Sequence, residues 1–303
     1  RQILPSSFPD VASNIPVVAF NGALFFTDFD GTNIGLGRSD GTPAGTAQIK
    51  SIGGSGFELM AAEGSLWLCS GFTDCALWKS DGTGAGTVQV KSFSLGSNAS
   101  CHCLGGCNGL FYFVMKGASD TVWQLWRSDG STAGTTLVTN LPYDSVTARH
   151  PREAYAVNGK LLFFTEDASG VIGLWRTDGT ASGTQLIMPT MTANWQGLFY
   201  PMLLSVPTDT DPWTWNTMAG GSLVFGCYTA TSSSVWKSDG TPAGTVKIAD
   251  VGGQPTSTSI VFPMEFTYTG NGVDYFVGAL NRTAFDLQCS LWKTDAALTN
   301  VSE

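Results

Sequence analysis

The sequence contains few charged residues and no stretch in which basic residues cluster. Only 13% of its 303 residues are charged, about half the usual share, and the formal net charge is −9. Proteins that bind nucleic acid normally carry a stripe of Lys and Arg, and the sequence has no such stripe. The composition therefore argues against nucleic acid and anionic membrane surfaces as partners.

Long apolar runs are also missing. No run approaches the roughly 18 consecutive apolar residues that are needed to cross a bilayer, so we predict no membrane span. Hydrophobic residues nevertheless make up 43% of the chain, which is enough for a sizeable core.

Residues typical of catalysis are scarce. The chain has two histidines, His102 and His150, and no Gly-x-Ser-x-Gly, His-Glu-x-x-His or phosphate-loop motif. The cysteines at 101–107 lack the paired spacing of a zinc ribbon, and residues 28–33 depart from a calcium-binding EF-hand loop. A glycosidase-type carboxylate pair is the remaining catalytic option, but apart from the motif aspartates described below no acidic residues share a position in facing repeats. We therefore predict a protein that is not an enzyme and binds no cofactor or metal.

One pattern occurs six times in the chain. Each copy reads Leu-Trp-Lys/Arg-Ser/Thr-Asp-Gly-Thr-x-Ala-Gly-Thr with small changes, and the sixth copy breaks off early. The motif aspartates are Asp40, Asp81, Asp129, Asp178, Asp239 and Asp295. Successive copies lie roughly 40 to 60 residues apart, a period typical of repeat folds whose units cannot bury a core alone.

Each repeat predicts four antiparallel strands. A turn dipeptide such as Asn21-Gly22 or Asn108-Gly109 precedes an aromatic-rich run, and Asn-Gly between apolar runs is a strong hairpin signal. The motif supplies the third strand, and the residues after its last Gly-Thr supply the fourth. Four such strands in about 50 residues are typical of a β-propeller blade. We predict an all-β, six-bladed β-propeller of four-stranded antiparallel blades that forms a single domain over residues 1–303.

The repeats also set the blade boundaries. We expect blades at about residues 12–52, 57–94, 101–141, 152–189, 213–251 and 262–303. The sixth copy loses its pattern after Asp295, and residues 1–6 resemble the fourth strand at residues 47–52. We therefore predict that the N-terminal strand at residues 1–6 completes the sixth blade and closes the ring, which removes exposed sheet edges.

The constant motif is predicted to be a structural turn. An Asp side chain can hydrogen-bond the backbone two residues later, and Gly adopts positive φ readily, so no ligand is needed to explain the pattern. The motif tryptophans are expected to pack as wedges between neighbouring blades; they are Trp78, Trp126, Trp175, Trp236 and Trp292. Gly37 stands at this position in the first copy, where we expect a thinner interface or another side chain.

These repeats resemble the ELWxxDGT-repeat family of secreted β-propeller proteins, which is sometimes grouped with hyalin-like adhesion repeats. The resemblance covers nearly the whole chain, although Gly, Ala, Gln or Ser stands in place of the family's Glu. It implies an extracellular or cell-surface protein without catalytic activity. Because the sequence opens at Arg1 with no signal peptide, we expect a processed product or an excerpt of a longer chain.

Cysteines and glycosylation sequons support the same location. The seven cysteines, which we predict to form disulfides, are Cys69, Cys75, Cys101, Cys103, Cys107, Cys227 and Cys289. Glycosylation sequons occur at Asn98, Asn281 and Asn300. Cysteine clusters, sequons and low charge together favour a secreted protein. Cys69 could bridge to Cys75 across a hairpin and Cys227 to Cys289 between blades, while the three cysteines at 101–107 leave one thiol over.

The loops that vary between repeats predict the ligand site. The first and third turns of each repeat are nearly constant, whereas the other connections differ in length, and functional loops diverge more than scaffold turns. The long connection between the fourth and fifth repeats combines aromatic rings with carboxylates, which suits sugar recognition. The predicted ligand residues there are Trp195, Phe199, Tyr200, Asp209, Asp211, Trp213 and Trp215. A small aromatic core that fixes the loop is the alternative interpretation.

A second candidate site precedes the fourth repeat. It contains Arg149, His150 and Arg152 in the densest mixed-charge cluster of the chain. The alternative here is a solvated loop with local ion pairs. We predict a secreted, non-catalytic propeller that binds glycans or extracellular-matrix or cell-surface partners in an adhesive or lectin-like role. The alternatives are a self-associating structural subunit of an extracellular fibre, coat or sheath and, third, a glycan-active enzyme.

Overall fold

The computed structural model describes residues 17–29, 33–53, 57–70, 75–96, 99–141, 151–166, 172–191, 216–219, 221–228, 233–250, 263–270, 273–283, 286–294 and 301–302. This part of the chain forms strands and turns and contains no helix. Accordingly, none of the described residues belongs to a helix that is long and apolar enough to span a membrane.

The strands form six antiparallel sheets of four consecutive strands each, and within every sheet the strands lie side by side in chain order. Sheet 1 contains β1 (Val17–Phe20), β2 (Ala23–Phe29), β3 (Ile34–Ser39) and β4 (Ala47–Ser51). Sheet 2 contains β5 (Phe57–Ala62), β6 (Ser65–Ser70), β7 (Cys75–Ser80) and β8 (Val88–Phe93). Sheet 3 contains β9 (Ser100–Cys107), β10 (Leu110–Lys116), β11 (Gln124–Ser128) and β12 (Thr136–Asn140).

The second half of the chain repeats this order. Sheet 4 contains β13 (Arg152–Val157), β14 (Lys160–Glu166), β15 (Ile172–Thr177) and β16 (Gln185–Met191). Sheet 5 contains β17 (Asn216–Ala219), β18 (Ser222–Tyr228), β19 (Ser233–Ser238) and β20 (Val246–Asp250). Sheet 6 contains β21 (Pro263–Gly270), β22 (Val273–Thr283), β23 (Asp286–Thr294) and β24 (Val301–Ser302). The predicted all-β fold of antiparallel four-stranded sheets is confirmed, and the arrangement is propeller-like.

Asn-Gly turns join the first two strands of sheets 1, 3 and 4, as predicted. Both central residues of the turn have positive φ, with 47° at Asn21 and 76° at Gly22. Asn108 and Asn158 repeat this geometry, and in sheet 2 Glu63 adopts φ 50° at the same place. Two positive φ values give a turn whose twist matches that of the flanking strands, so these residues determine where each hairpin reverses.

The fourth strand carries a bulge beside the first two motif residues in sheets 1 to 5, which are Leu-Gly in sheet 1, Val-Trp in sheet 5 and Leu-Trp in the others. In sheet 2, Leu77 pairs with Lys91 and Trp78 with Gln89, so the pairing skips Val90. The Val90 side chain is buried, whereas that of Val88 is 50% exposed. A bulge changes the direction of a side chain relative to the regular pleat, and here it directs one apolar residue of the outer strand into the core.

Within each of two compact units, the core lies between successive sheets. In the first of two compact units, which contains sheets 1 to 3 and the turn Asp178–Thr184, the Trp67 ring stacks on Phe111 of sheet 3 with centroids 4.5 Å apart. In the second unit, which contains most of sheets 4 to 6, Phe164 meets Phe225 edge to face at 5.5 Å. Large aromatic rings dominate burial, and in each unit they bring one sheet into contact with the next.

The predicted wedge role is confirmed for three motif tryptophans, of which Trp78 packs against a cluster shared by sheets 1 and 2. Trp126 of sheet 3 meets Phe93 of sheet 2 edge to face at 5.1 Å. Trp236 packs against a cluster shared by sheets 4 and 5. In the first copy, the Phe26 ring occupies the space that a Cβ atom on Gly37 would need. Phe26 thus covers Gly37 within sheet 1, and the character of the interface between blades at this position stays a prediction.

The C-terminus contributes to the last sheet. At the end of β23, Thr294 pairs with Val301 and Lys293 pairs with Ser302. The sequence predicted residues 1–6 as the neighbour of this strand. Residues 1–16 lie outside the described part of the chain, so closure of a ring by the N-terminal strand stays a prediction, as do the single domain and the blade count.

Candidate functional site

A circuit of side-chain hydrogen bonds closes the turn between β7 and β8. Oδ1 of Asp81 accepts bonds from the backbone N–H and the hydroxyl of Thr83, at 2.8 and 2.7 Å. The Thr83 hydroxyl oxygen accepts a bond from the N–H of Gly86 at 2.9 Å, and the Thr87 hydroxyl donates to the Thr83 carbonyl at 2.6 Å. The Ser80 and Thr87 hydroxyls are hydrogen-bonded at 2.7 Å. The motif residues thus satisfy one another, and the turn is complete without a ligand.

The same bonds to the aspartate recur in the other described motif turns. In each, Oδ1 accepts the N–H and hydroxyl of the residue two positions later; the aspartates are Asp40, Asp129, Asp178 and Asp239. Asp295 lies outside the described residues. Because these carboxylates bind their own turns, the geometry accounts for the constant motif as a structural unit.

These hydrogen bonds predict that the fold weakens in acid. The hydroxyl and then the amide of Thr83 lower the pKa of Asp81, and equivalent hydroxyls lower the pKa of Asp40, Asp129 and Asp239. A carboxyl with a lower pKa in the folded chain stabilises the fold above its unfolded pKa and loses this effect as the pH falls through its folded pKa. We expect the urea midpoint to fall between about pH 5 and about pH 2.5.

The control for this prediction is Asp81→Asn, which keeps an oxygen acceptor but cannot ionise. Its urea midpoint should fall less over the same pH range than that of the wild type. An equal fall in both proteins would contradict a contribution of the Asp81 carboxylate.

A basic residue two positions before the motif aspartate connects its sheet to the turn of the next repeat. Nη1 of Arg176 donates to the carbonyl of Gly240 at 3.0 Å. The Lys79 side chain lies against Gly130 and places Nζ 5.2 Å from the centre of the Trp67 ring. This role was not predicted, although its signal is a Lys or Arg at this position in all six copies.

Further bonds fasten the constant ends of neighbouring repeats. The Thr132 hydroxyl donates to the carbonyl of Val90 at 2.7 Å, and Nζ of Lys91 donates to the carbonyl of Thr135 at 2.8 Å. In the second unit, the amide of Asn158 donates to the carbonyl of Asp239 at 3.0 Å. The constant turns therefore serve both their own sheet and the preceding one.

Four buried cysteines meet at the end of sheets 2 and 3 that lies opposite the motif turns. We call this end, where the connections differ in length between repeats, the variable-loop end. Cys69 lies in β6, Cys75 at the start of β7, and Cys101 and Cys103 in β9; all four are thiols in one apolar cluster. Sγ of Cys103 is 2.9 Å from Sγ of Cys69. Hydrogen bonds from the Cys69 and Cys75 thiols lower the pKa of Cys101 to about 5, whereas burial raises the pKa of Cys69. We call these four residues the thiol cluster.

The thiol cluster differs from the arrangement that the sequence indicated. Cys69 lies opposite Leu77 in the ladder, and its thiol contacts that of Cys103 on the next sheet. The contacts therefore favour a connection between sheets over the predicted bridge from Cys69 to Cys75. Within the described residues, no group of three or more His, Cys, Asp or Glu side chains is arranged to hold a metal ion.

A hydrogen bond between a carboxylate and an imidazole lies beside the thiol cluster. Oε1 of Glu58 is 2.5 Å from Nδ1 of His102, and Oε2 accepts the backbone N–H of Cys103 at 2.8 Å. The His102 ring packs edge to face on the Trp123 ring, with 5.5 Å between the ring centres. Nζ of Lys116 lies 5.4 Å from the centre of the Trp123 ring. Glu58 thus joins β5 to β9 and gives this end of the two sheets a mixed-charge surface.

The predicted ligand residues fall outside the described side chains. Arg152 begins β13, but its side chain is not described. The others lie outside the described residues: Arg149, His150, Trp195, Phe199, Tyr200, Asp209, Asp211, Trp213 and Trp215. The two predicted ligand clusters therefore stay predictions.

The remaining cysteines and sequons are placed only in part. Cys107 is buried at the end of β9. Cys227 pairs across β18 and β19 with Ser234, and Cys289 lies opposite Ala279. The side chains of Cys227 and Cys289 are not described, and neither is that of Asn281 in β22. Outside the described residues lie Asn98 and Asn300.

Comparison with known proteins supports the fold only. A prolyl endopeptidase structure matches with a TM-score of 0.54 and 15% identity over 100% of this chain and 42% of its own. Prolyl oligopeptidase B from Galerina marginata, without ligand, gives a TM-score of 0.53 and 8% identity over 95% of this chain and 41% of its own. Oligopeptidase B from Leishmania major gives a TM-score of 0.51 and 9% identity over 88% of this chain and 38% of its own.

The chain spans about two fifths of the length of these peptidases. At such low identities the similarity concerns the arrangement of strands and carries no activity to this chain. No family model matches the sequence, and the search of curated proteins gives no match.

Proposed function

We propose that the six sheets are the blades of one β-propeller closed by the N-terminal strand, and that the protein is a secreted, non-catalytic propeller. It binds glycans or extracellular partners through its variable-loop end. The observation that carries the proposal is the use of the motif aspartates. Five of them accept hydrogen bonds within their own turns, so the constant end is committed to building the scaffold.

The other end of the sheets is free to differ between repeats. In a sheet whose strands follow chain order, the first and third turns lie at one end and the remaining connections at the other. Loops that vary on a constant scaffold are where binding residues concentrate. The long connection before sheet 5 supplies the aromatic and acidic residues that suit a sugar ring and its hydroxyls.

The net charge of the chain limits the classes of ligand that we propose. A net charge of −9 repels polyanions over distances near the Debye length, about 8 Å at physiological salt. Neutral glycans and weakly charged protein surfaces therefore suit this chain better than sulfated glycans. The experiment is a glycan array probed with the full chain, which we expect to retain neutral sugars. An array without any retained glycan would contradict the lectin-like form of the proposal.

A self-associating structural subunit is the second candidate function. The outer strands of four sheets each expose one apolar side chain near their start, namely Val88, Leu137, Leu186 and Val246. Copies that pack along these strands would cover them. Light scattering, run beside the array, separates the two candidates: a binding protein stays monomeric and retains sugars, whereas a structural subunit assembles and shows no sugar preference.

A further inference from the structure

We propose that the thiol cluster forms two disulfide bonds that join sheet 2 to sheet 3 covalently. One bond links Cys69 with Cys103, and the other links Cys75 with Cys101. The proposal does not depend on what the variable loops bind, because it concerns the connection between two sheets.

The contacts among the four thiols determine the pairing. Cys69 contacts Cys103, with 2.9 Å between the sulfur atoms. Cys101 hydrogen-bonds both Cys69 and Cys75. The thiols therefore contact one another in the order Cys103, Cys69, Cys101, Cys75. Only the pairs Cys69 with Cys103 and Cys75 with Cys101 leave no thiol without a bonded neighbour. A bond between Cys69 and Cys101 would leave the two outer thiols apart.

The surroundings of the cluster favour the bonded form. The thiols share an apolar cluster with Trp67, Phe93, Phe111 and Met115, and each is less than 10% exposed. A thiolate buried in such surroundings loses its hydration, whereas a disulfide carries no charge. Both bonds would connect residues far apart in sequence, 34 positions for Cys69 and Cys103, and such bonds restrict the unfolded chain.

The chemistry requires a disulfide oxidant, for which oxidised glutathione serves as the probe. The thiolate of Cys101 attacks one sulfur of the oxidant and releases one glutathione thiolate. Cys75 then gives its proton to that leaving thiolate, attacks the mixed disulfide at Cys101 and releases the second glutathione. Two protein thiols lose two electrons, and one glutathione disulfide gains them. The same exchange joins Cys69 to Cys103.

Peptide mapping of the full chain tests the connection between sheets. The protein is oxidised with glutathione disulfide, alkylated without reduction and cut with trypsin and with a protease that cleaves before Asp. We expect the peptides that contain Cys69 and Cys75 to be linked to the peptide at residues 92–116 and not to each other. A bond between Cys69 and Cys75 would overturn the proposal, as would four alkylated thiols with about one zinc ion retained per chain.

Paired variants test which sulfur binds which. Both variants carry Cys107→Ala, so that the thiol cluster holds the only cysteines of sheets 2 and 3. With Cys69→Ala and Cys103→Ala, we expect the bond between Cys75 and Cys101 to remain. With Cys69→Ala and Cys101→Ala, we expect the two remaining thiols, Cys75 and Cys103, to be alkylated. The opposite pattern would overturn the pairing.

The thermal transition provides a readout that needs no variant. Reduction of the oxidised wild type should lower Tm by about 5 to 10 °C. An unchanged Tm after complete reduction would overturn the proposed covalent connection of the sheets.

Discussion

Replacement of Trp67 by Ala is expected to destabilise the chain by about 4 kcal/mol, because it leaves a large cavity between sheets 2 and 3. The side chain is 1% exposed and stacks on Phe111 at 4.5 Å. Its Nε1 also donates to the carbonyl of Ala62 at 3.1 Å, and Lys79 lies over the ring. Urea unfolding followed by circular dichroism measures the effect as a lower midpoint.

Trp67→Phe is the matched control. It keeps an aromatic ring to stack on Phe111 but loses the indole N–H and part of the volume. We expect less than half of the destabilisation caused by Ala, since most of the buried apolar surface remains. Equal losses for the two variants would contradict the claim that burial and stacking, rather than the hydrogen bond, hold the sheets together.

Gly86→Ala is expected to cost about 3 kcal/mol of unfolding free energy. A Cβ atom on Gly86 would overlap the carboxylate of Asp81, which lies directly over this glycine. The last glycine of the other described motif turns has the same relation to its aspartate. The motif therefore needs glycine here to make room for the carboxylate, and urea unfolding reports the cost.

Two further variants separate this steric effect from a general effect of added side chains. Asp81→Ala together with Gly86→Ala should be less destabilised than the sum of the single variants, because the overlap is removed. Gly96→Ala adds a Cβ atom into open space at φ 78° and should cost only about 1 kcal/mol. Additive effects of the first pair would contradict the proposed overlap.

The sequence was sufficient for those features that depend on neighbouring residues. Asn21 and Gly22 predicted their hairpin because positive φ is a local preference. The motif predicted its own turn for the same reason, since Asp81 reaches only two residues along the chain. The number and order of strands in each sheet followed from these two turns.

Features that depend on contact between repeats escaped prediction. Cys69 and Cys103 are 34 positions apart, and nothing in their spacing indicates that β9 packs beside the end of β6. The bond from Arg176 to Gly240 also joins two repeats and has the same origin. The bulge at Val90 was missed because alternation along a strand does not show which residue the pairing will skip.

In the proposed function, the constant turns build the scaffold while the variable-loop end binds the ligand. The most direct measurement is a glycan array that compares the wild type with Asp81→Asn and with Trp213→Ala combined with Trp215→Ala, at a temperature where all three are folded. We expect Asp81→Asn to retain the wild-type binding profile and the tryptophan variant to lose at least about tenfold in affinity, since a stacked aromatic ring contributes over 1 kcal/mol. Loss of binding in Asp81→Asn with full binding in the tryptophan variant would contradict the proposed function.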